Sequence, residues 1–336
     1  VTVGDSPGGL YQAAFVSRVY RAAGMDAVRA AGAALNQDFS QADALFPQAR
    51  AARCLEEILA DADTRLVAAA AIPCQRCALG LRVMDAGKDY FTDKAPFTSL
   101  EQLAAARQKA LETGRKYMVY YSERLSVESA VLAGMLIDQG RIGRVIQVTG
   151  FGPHRLGGPR PDWFYRRAQY GGILCDIGSH QIEQYLAYSG EEDATVTLSR
   201  VGNYAHPETP ELEDFGDCAL TGKNGTTNYF RVDWFTPDGL RTWGDGRTLI
   251  LGTEGYIELR KFINVAADQP GGDHLFLVNR DGEQYADASG KTGLPFFSRL
   301  IQDCMNRTET AMTQAHAFKA AELCLIAQNQ AQRVAP

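Results

Sequence analysis

Several things are scarce in this chain of 336 residues, and each scarcity excludes a class of protein. It has no excess of positive charge: 34 Lys and Arg stand against 40 Asp and Glu, a formal net charge of −6. A partner read through phosphates needs a concentrated basic surface, so nucleic acid is not expected as a ligand. Nor does the chain contain the roughly 20 consecutive apolar residues that span a bilayer. Its first residues, VTVGDSPGGLYQ, lack the basic region and apolar core of an export signal, so no membrane association is expected. The 7 cysteines, odd in number and scattered, do not form the framework of a small secreted domain, and a reducing cytoplasm is the expected location. Cys74 and Cys77 make one CxxC, but no second pair or nearby His completes a zinc set. We therefore expect no metal there, only two half-buried thiols at the start of a helix.

What is present is 45% hydrophobic residues over a length that exceeds one ordinary domain. We expect two domains, residues 1–122 and 123–336. In the first, short apolar runs alternate with helical ones. VTVG (1–4) precedes a helical stretch from about Gly9 to Ala23, an Ala-rich strand candidate lies near 27–35, and a short helix follows at 40–46. LEEILA (55–60) is helical, and LVAAAAI (66–72) has the unbroken apolar character of a strand buried on both faces. Pro73 suits the first turn of a helix running to Ala86, while YFTD (90–93) and YMVYY (117–121) are further strands. Thr98-Ser-Leu-Glu101 resembles a capping box for a helix over 99–112. This alternation predicts a doubly wound parallel sheet of the Rossmann type, with ligands at the carboxyl ends of its strands.

Three turns at those ends are candidate cofactor contacts. The first contains Gly4, Ser6, Gly8 and Gly9, the second Ile72 and Pro73, and the third Asp93 and Lys94. The first turn approximates the dinucleotide fingerprint G-x-G-x-x-G, with Ser6 in place of the middle glycine. The acidic residue expected about 20 positions later, to hold a ribose hydroxyl, has no clear counterpart in AGAALNQDFS (31–40). The choice between NAD and NADP therefore stays open.

Farther along, GGILCDIGSH (171–180) places Asp176 and His180 one turn apart if 171–188 is helical. Taken alone, such a pair fits a capping Asp and a core His as well as it fits a catalytic site. After residue 144 come strand-like runs, RVIQVTGFG, ATVTLSRVGN, DCALTG, TNYFRVDWF, TLILG and YIELRK, with few long helices between them.

GKDYFTDKAP (87–96) and GGILCDIGSH are similar to the G-K-x-V-x-x-E-K-P and G-G-x-x-x-D-x-G-x-H signatures of the glucose–fructose oxidoreductase, inositol dehydrogenase and rhizopine catabolism (Gfo/Idh/MocA) family. IGRV (142–145), LGTEGYIELRK (251–261) and the helical tail after TETAM (308–312) extend the resemblance over nearly the whole chain. Asp93 stands where the signature has Glu, and Ala95 where it has Pro, with Pro96 one place later.

The resemblance implies an N-terminal Rossmann domain and a C-terminal α/β domain with a large open, mostly antiparallel sheet. It also implies an NAD- or NADP-dependent oxidoreductase acting on a sugar, cyclitol or related small molecule, and a homodimer or homotetramer assembled through that sheet. Lys94, Asp176 and His180 take the positions of the family's catalytic Lys, Asp and His. An alcohol oxidised by hydride loss must also lose a proton, and imidazole suits that transfer near neutrality. His180 is then the acid/base, Lys94 stabilises the alkoxide, and Asp176 orients hydroxyls or tunes its charged neighbours.

The segment 150–172 leads into this helix and carries His154, Arg155, Arg160, Arg166 and Arg167 among aromatics that include Trp163. It is either a substrate loop, with an arginine on an anionic group, or a solvated loop with structural ion pairs. His154, Arg155 and Trp163 join Asp176 and His180 as candidate substrate contacts, and Arg124 after YMVYYSE is a weaker one. Two other readings stand beside the dehydrogenase. One is a non-catalytic dinucleotide- or sugar-binding sensor of the same fold, and the other is an enzyme that holds its dinucleotide permanently and recycles it.

Overall fold

The computed structural model describes residues 2–3, 52, 54–158 and 160–334. The glycine turn of Gly4, Ser6, Gly8 and Gly9, and the elements expected between 9 and 46, lie outside these residues. The chain forms two compact units: residues 1–120 with 295–318, and residues 121–294 with 319–336.

In the first unit the described strands make a parallel sheet ordered β1 (Thr2–Val3), β2 (Leu66–Ala69), β3 (Asp89–Asp93) and β4 (Tyr117–Tyr120). Every residue of β2 and β4 is buried, which is why their sequences are continuous rather than alternating. Helix α1 (Leu55–Ala60) precedes β2, while α2 (Pro73–Asp85) and α3 (Leu100–Thr113) connect the strands that follow. The N-cap of α3 is Ser99, one residue later than expected. Its hydroxyl accepts from the Gln102 amide at 3.3 Å, and the Gln102 side chain in turn accepts from the Thr98 amide at 2.8 Å. The capping box is thus Ser99 to Gln102, because a Gln side chain reaches back as well as a Glu does. Helix α9 (Phe296–Asn306) brings Phe296 and Phe297 against Phe91 and Tyr120.

The second unit is built on a nine-stranded sheet ordered β12-β11-β10-β9-β5-β8-β7-β6-β13. The strands are β5 (Val145–Pro153), β6 (Ala194–Gly202), β7 (Phe215–Gly222), β8 (Thr227–Asp233), β9 (Arg247–Gly252), β10 (Gly255–Arg260), β11 (His274–Asn279), β12 (Gly282–Asp287) and β13 (Gln332–Arg333). All neighbours are antiparallel except β5 with β8 and β6 with β13. The sheet is therefore mixed and mostly antiparallel, with one face covered by helices. On the uncovered face Leu249, Leu251 and Tyr256 are exposed, with Leu251 paired opposite Tyr256 in the ladder.

Helices α4 (Ser122–Leu125) and α5 (Glu128–Asp138) open this unit, and the short α6 (Arg167–Tyr170) leads to α7 (Ile173–Asp176) and α8 (Gly178–Ser189). The expected single helix over 171–188 is two pieces joined at Ile177, which keeps helical angles of φ −78° and ψ −39°. Gly178 lets the join sit against the Phe230 ring, because a Cβ there would lie 3.2 Å from it. Helix α10 (Gln314–Asn329) supplies the helical tail. Among the described residues no helix is long and apolar enough to cross a membrane.

Candidate active site

In the first unit, Lys94 follows the carboxyl end of β3, beside the turn after β2 that holds Ile72 and Pro73. The connection is organised from beneath by a residue the motif search passed over. Arg76, buried in the first turns of α2, donates from Nε to the Ala71 carbonyl at 2.7 Å and from Nη1 to the carbonyls of Asp93 and Ala95 at 3.0 Å each. Its Nη1 also contacts the Lys94 carbonyl. One guanidinium thus ties the end of β2 to the turn that carries Lys94, and the Lys94–Ala95 peptide within that turn is cis. The Asp93 carboxylate accepts from the Lys94 amide at 2.9 Å, so it caps the turn.

Arg76 lies inside the CxxC, whose thiols are both free. Burial pushes the Cys77 thiol up to about 11 and raises that of Cys74, so the chemistry-bearing residue of this motif is the arginine. Arg76→Ala leaves buried carbonyls without a donor. We expect a loss of about 3 kcal/mol in urea denaturation, from charged hydrogen bonds of this kind; a loss below about 1 kcal/mol would show that the turn holds itself.

In the second unit, the helix pair α7–α8 is fixed at its start by side chains from distant elements. Gly171 and Gly172 adopt φ of 93° and 96°, which turns the chain sharply out of α6. A Cβ on Gly172 would fall 2.2 Å from Oε1 of Gln328. That oxygen accepts from the Leu174 amide at 2.9 Å, and the Glu213 carboxylate accepts from the Ile173 amide at 2.8 Å and from Gln328 Nε2 at 3.1 Å. The glycine pair therefore makes room for this amide cap. Asp176 ends α7, half-buried, and its carbonyl accepts from the Ser179 hydroxyl at 2.7 Å.

Helix α8 is buried around most of its first turns, polar residues included: Ser179, His180, Gln181, Glu183 and Gln184. It lies close to β5 because Gly150 and Gly152 present no side chain there; a Cβ on Gly150 would meet Gln181 at 2.0 Å. The buried polar groups surround Glu123 of α4. One oxygen of its carboxylate, Oε2, accepts from Lys261 Nζ at 2.9 Å, Gln181 Nε2 at 2.9 Å and Gln184 Nε2 at 3.5 Å. The other, Oε1, is buried, accepts no hydrogen bond among the described residues, and lies 3.8 Å from Nε2 of His154.

Gln184 Nε2 also donates to the His180 carbonyl at 2.8 Å, and Thr248 Oγ1 donates to Gln184 Oε1 at 3.2 Å. Burial alone would raise the Glu123 carboxyl, but Lys261, His180 and His154 outweigh it and hold the group well below the usual carboxylate range.

The remaining candidates divide. His154 belongs to this cluster; its Nδ1 is 3.1 Å from the Gly152 carbonyl, an acceptor only, which puts the proton on Nδ1 and turns Nε2 towards Glu123. Arg124 instead forms a forked pair with the fully buried Glu183, with Nε 2.8 and 3.0 Å from the two oxygens. Arg155 is occupied by the carbonyls of Pro237 at 2.8 Å and Leu240 at 2.5 Å. Arg166 faces Glu211 and Arg167 faces Glu213, both at 3.3 Å. Arg160 lies over the rings of Phe164, Trp234 and Trp243, 5.0 to 5.6 Å from their centroids. Trp163 packs edge-on against Phe164, and its buried indole N–H has no acceptor among the described residues.

Sequence reasoning missed Arg76, Glu123, Lys261, Glu213 and Gln328. Only Lys261 left a signal: just past the end of β10, it keeps the inward parity of Ile257 and Leu259, so a cation had to be buried there with a partner.

The parallel sheet of the first unit and the open mixed sheet of the second, with Asp176 and His180 on two successive helices of the latter, define a two-unit α/β protein. The Gfo/Idh/MocA C-terminal domain profile matches residues 132–258. A crystal structure from Erwinia carotovora atroseptica SCRI1043, provisionally assigned as an oxidoreductase, is 46% identical and superposes with a TM-score of 0.89, covering 99% of this chain and 98% of that one. The chain belongs to the Gfo/Idh/MocA family. It is also similar to the scyllo-inositol 2-dehydrogenase (NAD(+)) of Bacillus subtilis, 32% identical over 61% of this chain and 55% of that enzyme. The chain thus spans about half the length of that curated relative. Levoglucosan dehydrogenase in complex with NADH and L-sorbose shares the fold, with a TM-score of 0.73 at 16% identity over 98% of this chain and 96% of that one.

Proposed function

We propose that the protein is an NAD- or NADP-dependent dehydrogenase or reductase acting on a hydroxyl or ketone of a sugar, cyclitol or related small molecule. The observation that carries this reading is the placement of His180: a buried residue on α8, just beyond Asp176 and the short helix α7 whose start is tied by Glu213 and Gln328, on a helix whose Gln181 and Gln184 donate to the Glu123 carboxylate. The names of the relatives support the substrate class, since one acts on scyllo-inositol and another was solved with NADH and L-sorbose.

In this reading the first unit binds the dinucleotide and the second the substrate. The described cofactor candidates fit that task. Ile72 and Pro73 begin α2, a helix with no side-chain cap, at the carboxyl end of β2, and Lys94 stands after the neighbouring strand. When bound, the nicotinamide supplies the hydride acceptor or donor. His180 takes the hydroxyl proton in oxidation and returns it in reduction. Lys94 hydrogen-bonds the reacting oxygen and stabilises alkoxide character, and Asp176 orients the substrate's other hydroxyls. The engagement of Arg155, Arg166 and Arg167 by protein acceptors supports a neutral polyol or sugar over an anionic substrate. The exposed apolar residues on the uncovered face of the large sheet, Leu249, Leu251 and Tyr256, support assembly of a homodimer or homotetramer through that face.

The test is titration with NADH and with NADPH, following energy transfer from protein tryptophan to nicotinamide. One of them is expected to bind with micromolar affinity, about −8 kcal/mol. If neither binds, and denaturation releases no dinucleotide already held, the dehydrogenase reading fails and the sensor reading takes its place.

A further inference from the structure

The two carboxylate oxygens of Glu123 have unlike surroundings. Oε2 accepts from Lys261 Nζ and Gln181 Nε2 at 2.9 Å each and from Gln184 Nε2 at 3.5 Å, which anchors the group. Oε1 is buried, accepts no hydrogen bond among the described residues, and faces Nε2 of His154 at 3.8 Å. That separation is an ion pair's rather than a hydrogen bond's. A carboxylate oxygen sealed from water is costly unless a charge matches it.

The other ring nitrogen decides which form of His154 can do so. Its Nδ1 lies 3.1 Å from the Gly152 carbonyl, which only accepts, so Nδ1 carries a proton. In a neutral imidazole Nε2 is then bare, and its lone pair is turned on a carboxylate oxygen. Only the imidazolium offers an N–H to both acceptors. The residue is also held by its backbone, whose amide donates to the Asp233 carbonyl at 2.8 Å and whose carbonyl accepts from the Thr236 amide at 3.1 Å. Trp234 and Trp243 stand edge-on to the ring, 5.8 and 6.5 Å from its centroid.

We propose that Glu123 is a positioning residue for His154: anchored through Oε2, its carboxylate holds the His154 ring inward as an imidazolium and so fixes one wall of the substrate-binding unit. This deepens the reading of the second unit as the one that binds substrate, and rests on it. The wall lies beside the start of α8, since a Cβ on Gly152 would meet Gln181 Nε2 at 2.9 Å and Ile177 at 3.4 Å. The His154 side chain keeps 19% of its surface exposed, enough to face a ligand as well as Glu123.

The charged groups around the pair come from every neighbouring element. Lys261 from beyond β10 and Arg160, whose guanidinium lies over the rings of Trp234 and Trp243, oppose a proton on His154. Glu123 from α4 favours it, with an oxygen aimed at Nε2. His180 of α8 acts on the same carboxylate, which Lys261, His180 and His154 together keep ionised against burial. The other carboxylates nearby are paired: Asp233 with Arg231 at 3.1 Å, Asp245 with Arg247 at 3.0 Å, and Glu183 with Arg124. Loss of the Nε2 proton sets two lone pairs against each other and releases the ring from the wall.

The test needs neither cofactor nor substrate. The protein has 5 histidines, and ¹⁵N labelling allows each imidazole to be titrated by NMR, with His154 assigned through a His154→Gln variant. In the wild type the His154 midpoint is expected above the ordinary imidazole value of about 6.5, with both ring nitrogens protonated below it. In Glu123→Gln it should fall by about one pH unit or more, as for loss of an opposite charge at close range. A wild-type midpoint at or below about 6.5 overturns the proposal, and decides the matter even if the variant does not fold. So does a midpoint that is the same with and without the carboxylate. Where a polyol is turned over, its KM should rise as the pH passes the His154 midpoint, and that rise should move to lower pH in Glu123→Gln; a KM with no break there in either protein overturns the role at the substrate wall. The expected titration in a protein that binds neither NADH nor NADPH would leave the ion pair standing and sink only the dehydrogenase reading.

Discussion

Replacing His180 with Asn is expected to lower kcat/KM for the turnover of neutral polyols and sugars by about 10² to 10⁴, the usual contribution of a positioned acid/base. The affinity for NADH or NADPH should not change, because His180 belongs to the second unit and the cofactor candidates belong to the first. The substitution is small and the Gln184 bracket on the residue 180 carbonyl survives it, since that contact is to the backbone. Steady-state rates on a panel including myo-inositol and D-xylose, alongside the fluorescence titration, provide the check. A fall of less than tenfold would remove His180 from the proton-transfer role. A parallel collapse of cofactor binding would show that the substitution had damaged the protein rather than the chemistry.

The second large effect is on stability. Lys261→Met removes the only ammonium hydrogen-bonded to Glu123 among the described residues and leaves a carboxylate buried without its cation, which costs about 3 to 5 kcal/mol. Its pH dependence identifies the cause. In the wild type Glu123 is held well below the usual carboxylate range, so its contribution is fully present above about pH 4.3 and is lost only as the pH falls through its lowered value. Without Lys261 burial is less opposed and the carboxyl rises. The variant then takes up a proton more readily when folded than the wild type does, and part of its deficit is recovered on acidification. Urea denaturation at pH 7.5 and pH 5 should therefore show the gap narrowing at the lower pH. A gap that is constant across that range would mean that the loss comes from packing of the lysine stem.

The alternation from β2 onward was legible because β2, β3 and β4 are buried almost throughout and the helices between them carry terminal signals, such as Pro73 at the start of α2 and Gly114 at the end of α3. The large sheet was legible up to β10 for a different reason: its strands are rich in β-branched and aromatic residues, and several of them, such as β9, alternate between a buried and a more open face. The hairpin of β11 and β12 was not, because most of β12, GEQYAD, is exposed at the sheet edge and has no apolar period to read. The site was half legible. Lys94, Asp176 and His180 sit in local patterns, whereas Glu123 and Lys261 meet across 138 positions, and neither position hints at the other. The arginines of the 150–172 segment misled for the mirror-image reason. Their basic character is local, but the acceptors that occupy Arg155 lie more than 80 positions away.

The cap on helix α7 has a consequence for how the protein comes into being. The Leu174 amide is satisfied by Gln328, which is synthesised 154 residues later. A ribosome adding about 5 to 20 residues per second completes the segment bearing His180 many seconds before the side chain that fixes its start. Until then the buried Leu174 amide and the Glu213 carboxylate lack the side chain that joins them. The nascent second unit is thus held short of its working form until the last helix emerges, and a chain interrupted before Gln328 would carry every catalytic candidate and still lack the geometry that makes them a site.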